Sequence, residues 1–273
     1  MTIDSIDELT SAARRTRRLI IGMLAGLGSG HPGGSLSGVE ILIALYYRVL
    51  RHRPQEPDWP DRDRFVLSKG HATPLLYSVL ACCGYFPVEE LMTFRKLNSR
   101  LQGHPKVGTA PGIEMSAGSL GQGLSYSIGQ CLAGRLDGKD YRVYCLLGDG
   151  ECQEGQTWEA LMSAPNYQLD NLVAIIDRNG IQNDWFVSET MELEPLDEKL
   201  RAFGWHVVSV DGHDLRQLLD AFDEAKIIQD RPTAIVARTV KGKGVSFMEN
   251  NPEWHGKAPS KEQAEQALAE IGE

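Results

Sequence analysis

The chain has 273 residues, 42% of them hydrophobic and 24% charged, which is the composition of an ordinary globular protein and excludes disordered, collagen-like and coiled-coil proteins. This length fits one large α/β domain with a single core. The formal net charge is −9, and no block rich in lysine and arginine occurs beyond the first helical turns. Both features argue against a protein that binds nucleic acid.

The N-terminal region superficially resembles a signal peptide, because four arginines precede an apolar run at 19–28. Acidic residues lie before the arginines, no cleavage site follows, and the run is about half as long as a membrane-spanning helix. We therefore expect a helix here and no membrane anchor. The five cysteines are odd in number and form no C-x-x-C pair, which favours a reducing compartment, the cytoplasm.

Five short runs are continuously apolar, as expected of parallel strands that are buried on both faces. They occupy residues 64–67, 142–147, 172–177, 205–210 and 233–238. Helical patterns alternate with these runs along the chain. They include 36–50, which a capping box of Ser37 and Glu40 would begin, and 215–228. Residues 51–62 read as a proline-rich loop. The sequence thus predicts a doubly wound α/β fold, a mainly parallel sheet with helices on both faces, as one domain over 1–273. Residues 241–273 would form a C-terminal loop and a short acidic helix over 262–273.

Polar residues follow two of these strands at the edge of the sheet where ligands usually bind. Asp149 comes after the second strand and Asn179 after the third, about one helical crossover apart. Carboxylate, amide and backbone carbonyl oxygens are suitable ligands for Mg²⁺. The same Gly-Asp-Gly and Asn-Gly sequences would also suit plain turns, so spacing alone leaves both interpretations open.

A glycine-rich segment at 118–123 leads into an apolar helix that ends near residue 135. It could offer free backbone N–H groups to an anion, or its glycines could allow close packing of helix on sheet. Two further motifs are set aside. Residues 28–33 match G-x-G-x-x-G but follow a helix, and Lys241-Gly-Lys-Gly lacks the spacing of a phosphate loop, which favours a flexible basic turn.

Four of the seven histidines lie in loops beside glycine or proline: His31, His71, His104 and His255. Such imidazoles suit hydrogen bonding to hydroxyls and phosphates, and proton transfer near neutral pH. Each alone is more simply a solvated loop residue, and it is the shared setting that favours a site. The other three histidines receive no role.

Together these motifs resemble the transketolase family, over essentially the whole chain and in the family's order. They are Ser-Gly-His-Pro-Gly at 29–33, Leu-Ser-Lys-Gly-His at 67–71, Gly-His-Pro at 103–105, Gly-x-Leu-Gly-Gln-Gly at 118–123, Gly-Asp-Gly at 148–150 with Asn179, and His-Gly-x-Ala-Pro at 255–259. The resemblance implies a thiamine diphosphate-binding fold of the diphosphate (PP) type. It implies an enzyme that moves a two-carbon ketol unit from a ketose to an aldose, either of which can be a sugar phosphate, and leaves the particular sugars open.

The resemblance also implies roles for individual residues. The metal ligands would be Asp149, Asn179 and the Ile181 carbonyl, holding Mg²⁺, with Ca²⁺ or Mn²⁺ as substitutes. The cofactor-binding set would be His71, Gly118, Ser119, Leu120, Gly150, Glu151, Asn179 and His255, of which Gly118 and Leu120 meet the aminopyrimidine through their backbone. His31 and His255 would handle protons at the reacting carbons, and His104 would bind the C1 hydroxyl of the donor. Glu154 and Glu159 match acidic residues at the family's subunit interface.

The chain departs from the family in length, since a complete transketolase has two further domains. The resemblance therefore implies an N-terminal subunit that is inactive alone and works with a separate C-terminal subunit as an α2β2 assembly. The alternatives are a deoxyxylulose-phosphate synthase-like or 2-oxo-acid dehydrogenase-like subunit, which share Gly-Asp-Gly and the later Asn, and a non-catalytic cofactor-binding module. Ser-Lys-Gly-His and Ser-Gly-His-Pro-Gly argue against the first two, and the retained Asp149, Asn179 and loop histidines argue against the third.

Overall fold

Five parallel strands form the centre of the protein in a computed structural model that describes residues 3–273. The strands are β1 Arg64–Leu67, β2 Val143–Gly148, β3 Leu172–Arg178, β4 His206–Asp211 and β5 Thr233–Arg238. Their order in the sheet is β1-β2-β3-β5-β4, and every neighbouring pair is parallel. The predicted doubly wound α/β fold is confirmed, with β2 and β4 each displaced by one residue from the predicted limits.

Helices cover both faces of this sheet. They are α1 Ile6–Leu27, α2 Pro32–Ser37, α3 Val39–Ala44, α4 Thr73–Cys82, α5 Gly123–Leu136, α6 Gly155–Asn166, α7 Val187–Thr190, α8 Leu196–Ala202, α9 Leu215–Ile227 and α10 Lys261–Ile271. Alternate strand residues enter opposite cores, as the period of two requires: Leu146 and Ile175 pack towards α1, α3 and α9, whereas Cys145 and Ile176 pack towards α5 and α6. In the described part of the chain, no helix is both long and apolar enough to span a bilayer.

The predicted helix over 36–50 is broken, and its capping box does not form. The chain is helical from Pro32, kinks at Gly38 and ends in a widened turn over Leu45–Val49. A side chain at Gly38 would lie 3.0 Å from Leu75, so the kink brings the helix against α4. The Ser37 hydroxyl donates to the Asp177 carboxylate instead of capping the helix. Both residues of the predicted capping box therefore bond to residues distant in the sequence.

Glu40 joins three segments through one buried carboxylate. The Arg17 guanidinium of α1 donates to both carboxylate oxygens, at 2.6 and 2.7 Å. His213 donates its Nδ1 proton to Glu40 at 2.9 Å, because its Nε2 accepts from the Val240 amide. Burial alone would raise the pKa of Glu40, but the bonds from His213 and Arg17 lower it to about 2.

The C-terminal segment packs along α1 through three arginines. Arg17 donates to the Lys243 carbonyl, Arg18 to the carbonyls of Leu268 and Gly272, and Arg14 to that of Glu273. The predicted acidic helix over 262–273 is confirmed as α10, and Ser260 and Gln263 form its capping box. The arginines that resembled a signal peptide thus hold α10 against the first helix.

Three polar contacts tie the edge strand β4 to neighbouring helices, and one of them involves a backbone group of its open side. The Asp211 amide donates to the Gln217 side chain at 3.0 Å, and Ser209 donates to Asp197 of α8. His206 pairs with Glu224 of α9 at 2.6 Å. Neighbouring helices therefore satisfy part of the strand that no other strand covers.

Replacing Glu40 by Gln should lower the free energy of unfolding by about 3 kcal/mol, because the buried guanidinium of Arg17 loses its counter-ion. The exposed pair of Arg53 and Glu56 supplies a matched control, and Glu56→Gln should cost less than about 1 kcal/mol. The folded-state pKa of Glu40 is depressed, so its contribution is present above the ordinary value of 4.5 and is lost as the pH falls towards about 2. Urea titrations across that range measure the difference, and equal losses for the two variants would contradict the assignment.

Candidate active site

The cavity is built around Asp177, at the carboxyl end of β3. Its buried carboxylate accepts from Lys69 after β1, Thr239 after β5 and Ser37 of α2. Burial alone would raise the pKa of Asp177, but the charge and hydrogen bond of Lys69 hold it below its usual value. The Lys69 ammonium also donates to the Gly34 carbonyl at 2.8 Å. This one carboxylate therefore fixes three strand ends and a helix relative to one another.

A cavity of about 380 Å³ opens beside this pair, at the carboxyl ends of β1, β2 and β3. The predicted site residues that line it are His71, Gly118, Leu120, Asp149, Gly150, Glu151, Asn179, Ile181 and His255. Ser119 is exposed and does not line the cavity, and its cofactor role stays a prediction. His31 and His104 lie next to the cavity rather than in its wall.

Three oxygen-bearing groups converge at the ends of β2 and β3. The Asp149 carboxylate accepts from the amides of Gly150 and Gly180, at 2.8 and 2.5 Å. Burial, with the nearby charge of Asp177, raises the pKa of Asp149 to about 6. Asn179 accepts from the Ile181 amide at 3.1 Å, and the Ile181 carbonyl faces the same cavity. A hard cation here would find one carboxylate and one amide oxygen, together with a carbonyl that also accepts from Lys241.

Glu151, whose predicted cofactor contact stays a prediction, also has a structural role. Its carboxylate accepts from the Ser68 hydroxyl and from the amides of Gly121 and Gly148, at 2.9 and 3.1 Å. Burial raises its pKa, and these three donors oppose that shift. Glu151 lines the cavity, but its oxygens hold the glycine-rich segment against the sheet.

The glycine-rich segment serves close packing more than anion binding. The Gly123 amide donates to Ser68 at 3.1 Å, and a Cβ at Gly123 would overlap that hydroxyl. Glu151 and Ser68 occupy the amides of Gly121 and Gly123, so these two amides are not free for a ligand. Gly118 has open space where a Cβ would point, so the backbone remains accessible there.

The four loop histidines come together as predicted. The ring centroids of His31 lie 5.4, 5.5 and 6.3 Å from those of His71, His255 and His104. Burial, followed by the charges of neighbouring basic residues, lowers the pKa of His31 to about 4 and that of His255 to about 3. Burial and Lys69 place the pKa of His71 well below its usual range. These imidazoles are neutral at physiological pH and can accept protons.

Lys241 is the residue that the sequence prediction missed. Residues 241–244 form the predicted turn, but it is not a flexible exposed one, because Lys241 is only 2% exposed and its ammonium enters the cavity. It donates to the Ile181 carbonyl at 2.8 Å and contacts His255 Nδ1 at 2.9 Å. Within residues 3–273 no carboxylate lies at ion-pairing distance, and burial with the charge of Lys69 lowers the pKa of Lys241 to about 8. Its position directly after β5 is the signal that could have identified it.

Of the remaining histidines, His213 holds Glu40 and His206 pairs with Glu224, so neither enters the cavity. Across residues 3–273, no three His, Cys, Asp or Glu side chains are placed to hold a metal together. A cation site at Asp149 therefore depends on amide and carbonyl oxygens as well as the carboxylate.

Comparison with known proteins gives a consistent result. Residues 9–272 match the family of transketolase, thiamine diphosphate-binding domains. The chain is 44% identical to a 6-deoxy-6-sulfo-D-fructose transketolase subunit of Clostridium sp. (strain MSTE9), covering 97% of this chain and 96% of the relative. It is 40% identical to an apulose-4-phosphate transketolase subunit from Actinobacillus succinogenes, covering 98% of this chain and 97% of the relative.

The single-chain relatives are much longer. Human transketolase is 43% identical over 97% of this chain, which spans 42% of that protein. The crystal structure of transketolase from Campylobacter jejuni superposes with a TM-score of 0.93 at 34% identity, over 98% of this chain and 43% of that one. The chain thus spans less than half the length of these transketolases. Given the family match and the similarity along nearly all of its sequence, the chain belongs to the transketolase family, as its thiamine diphosphate-binding domain.

Proposed function

We propose that this chain supplies the diphosphate-binding wall of a ketol-transferring active site that uses thiamine diphosphate and a divalent cation. The observation that carries the proposal is the buried ammonium of Lys241, which has no carboxylate partner among the described residues. A buried charge without a counter-ion is costly, so the cavity suits an anionic ligand. Family membership identifies that ligand class as the cofactor's diphosphate.

The residues present fit a magnesium diphosphate. Asp149, Asn179 and the Ile181 carbonyl provide hard oxygen ligands, and His71, His255 and Lys241 face the same cavity as donors. Gly118 and Leu120 would meet the aminopyrimidine through backbone atoms. When bound, thiamine diphosphate supplies a carbanion that carries the two-carbon unit. Ca²⁺ or Mn²⁺ would serve in place of Mg²⁺ because they accept the same oxygens.

The histidines next to the cavity would move protons at the substrate. Burial lowers the pKa of both His31 and His255, so each starts neutral; His31 can take a proton from a hydroxyl group, and His255, whose Nδ1 contacts Lys241, can offer its Nε2 proton. His104 lies further out, beside His31, where it would bind the C1 hydroxyl of the donor.

A second polypeptide would form the opposite wall. The two relatives that match end to end are named as transketolase subunits. Glu154 and Glu159, expected at the subunit interface, are both exposed beside the site. We infer an α2β2 assembly in which the C-terminal subunit brings the pyrimidine-binding and C-terminal domains. The five free cysteines fit a reducing compartment, which we take to be the cytoplasm.

The substrates would be a ketose donor and an aldose acceptor that carry a terminal anion. Relatives are named for a sulfonated ketose and for a ketose phosphate, and phosphate and sulfonate share the same charge-assisted recognition. The family match favours ketol transfer over the synthase-like and dehydrogenase-like alternatives. The alternative of a non-catalytic module is disfavoured too, because the cavity keeps its oxygen groups and histidines together.

Asp149→Ala should weaken Mg²⁺-dependent binding of thiamine diphosphate by at least about 30-fold, because a charged contact worth about 2 kcal/mol is lost. Isothermal titration with Mg²⁺ and with a chelator measures this. Asp137→Asn, at the exposed end of α5, is the matched control and should bind normally. Unchanged affinity in Asp149→Ala would contradict the metal assignment.

Lys241→Met should weaken binding of the same cofactor by about tenfold or more, because the diphosphate loses a buried cation. Lys243 lies two residues away, is partly exposed and already pairs with Glu249 at 3.5 Å. Lys243→Met should therefore leave the affinity unchanged. The rise in melting temperature on cofactor addition provides a second measurement, and equal effects of the two substitutions would refute the role of Lys241.

The isolated chain should show no ketol transfer, whereas the chain co-purified with a C-terminal transketolase subunit should turn over a ketose donor and an aldose acceptor. The physical reason is that groups on the opposite wall must activate the cofactor. Product formation by chromatography, with phosphorylated and sulfonated ketoses as separate donors, tests this and identifies the substrate. Full activity of the chain alone would overturn the two-component proposal.

A further inference from the structure

Arg95 occupies a tightly held loop beside the histidines. Its backbone is in the left-handed region, with φ of 56°, and its amide donates to the Leu101 carbonyl at 2.9 Å. The preceding Phe94 is fully buried. A non-glycine residue adopts this conformation at a cost in conformational free energy. The hydrogen bond that closes the loop holds the residue in it. The side chain is therefore presented in a defined direction.

The guanidinium bridges the loops that carry two of the catalytic candidates. Its Nη1 donates to the Ser29 hydroxyl at 2.6 Å, two residues before His31. It also lies against Gly103, directly before His104, where a Cβ would be 2.5 Å from Arg95 Nε. Gly103 is fixed in turn because its carbonyl accepts from Thr73 at 2.9 Å. Arg95 thus couples the positions of His31 and His104.

The charge of Arg95 is not compensated within the described residues. No carboxylate among residues 3–273 pairs with Arg95, and its buried Nε has no acceptor. Its nearest ring is Phe94, 5.3 Å from the guanidinium carbon. The neighbouring Arg100 differs in this respect, because Glu90 accepts from it at 2.8 Å.

We propose that Arg95 is a positioning residue of the active site, which ties the His31 and His104 loops together and places an unpaired cation between them. The inference rests on the proposed function, in which the neutral imidazoles of these loops accept protons or bind hydroxyls. Arg95 acts through the two histidines and needs no contact with the reacting atoms.

The charges around both histidines agree with this role. Burial is the largest cause of the lowered pKa of His31, followed by the charges of Arg95, His104 and Lys241. His71 and His255 complete the titratable groups facing His31, and both are themselves held neutral. Burial also lowers the pKa of His104, and Arg95 is the next cause. Arg95 is therefore the cation that lowers the pKa of both imidazoles.

The test measures the titration of His31 and His104 directly. Full-length chain labelled at histidine with ¹³C and ¹⁵N is titrated by NMR, with the two signals assigned through His31→Gln and His104→Gln. Arg95→Gln, which keeps hydrogen-bond donors and removes the charge, should move both titrations to higher pH. Arg95→Lys should restore them, and Arg100→Gln is the control that should not move them.

Activity of the chain reconstituted with its C-terminal subunit gives the second measurement. The kcat/KM of Arg95→Gln should fall on the acid side of its pH profile by at least about threefold relative to Arg95→Lys, whereas a purely structural defect would lower both variants at every pH. Arg95→Met replaces Arg95→Gln if the latter does not fold.

Unmoved NMR titrations in a folded, charge-free variant would overturn the inference. Because the NMR titration needs no turnover, it remains decisive if the reconstituted pair has no ketol-transfer activity, which would count against the proposed function alone.

Discussion

The buried carboxylate of Asp177 is the contact on which the cavity depends. It accepts hydrogen bonds from the residues that follow β1 and β5 and from α2, so the loops after these strands have fixed relative positions. Removing one partner of such a pair leaves an isolated charge in the interior, which costs several kcal/mol. The pair with Lys69 therefore behaves as a structural unit of the cavity.

The two lysines of the cavity differ in whether a carboxylate neutralises them. Lys69 is neutralised by Asp177, whereas Lys241 has only carbonyl and imidazole partners among the described residues. The chain as a whole carries a net charge of −9, yet this cavity holds an uncompensated cation surrounded by neutral histidines. The carboxylates of Asp149 and Glu151 line the same cavity, so the unpaired positive charge is confined to the position of Lys241.

Sequence reasoning predicted the parts of the fold that depend on local pattern. The five strands, the loop histidines and the positions of Asp149 and Asn179 follow from apolar runs and from the residues that succeed them. The prediction failed where a side chain bonds to a distant element. Ser37 and Glu40 have the spacing of a capping box, but their side chains bond to Asp177 and Arg17 instead. Lys241 was missed because a Lys-Gly-Lys-Gly sequence indicates a mobile turn, and only the packing of α2 and the Ile181 loop buries it.

The polar cover on β4 limits how this protein can associate. An edge strand usually exposes a row of amides and carbonyls on which another chain can add a strand. Here Gln217 takes the Asp211 amide and α8 and α9 supply further partners, while the opposite edge, β1, is only four residues long. One end of β4 is thus closed to strand addition and β1 offers few free backbone groups, so association through helices or loops is favoured over extension of the sheet.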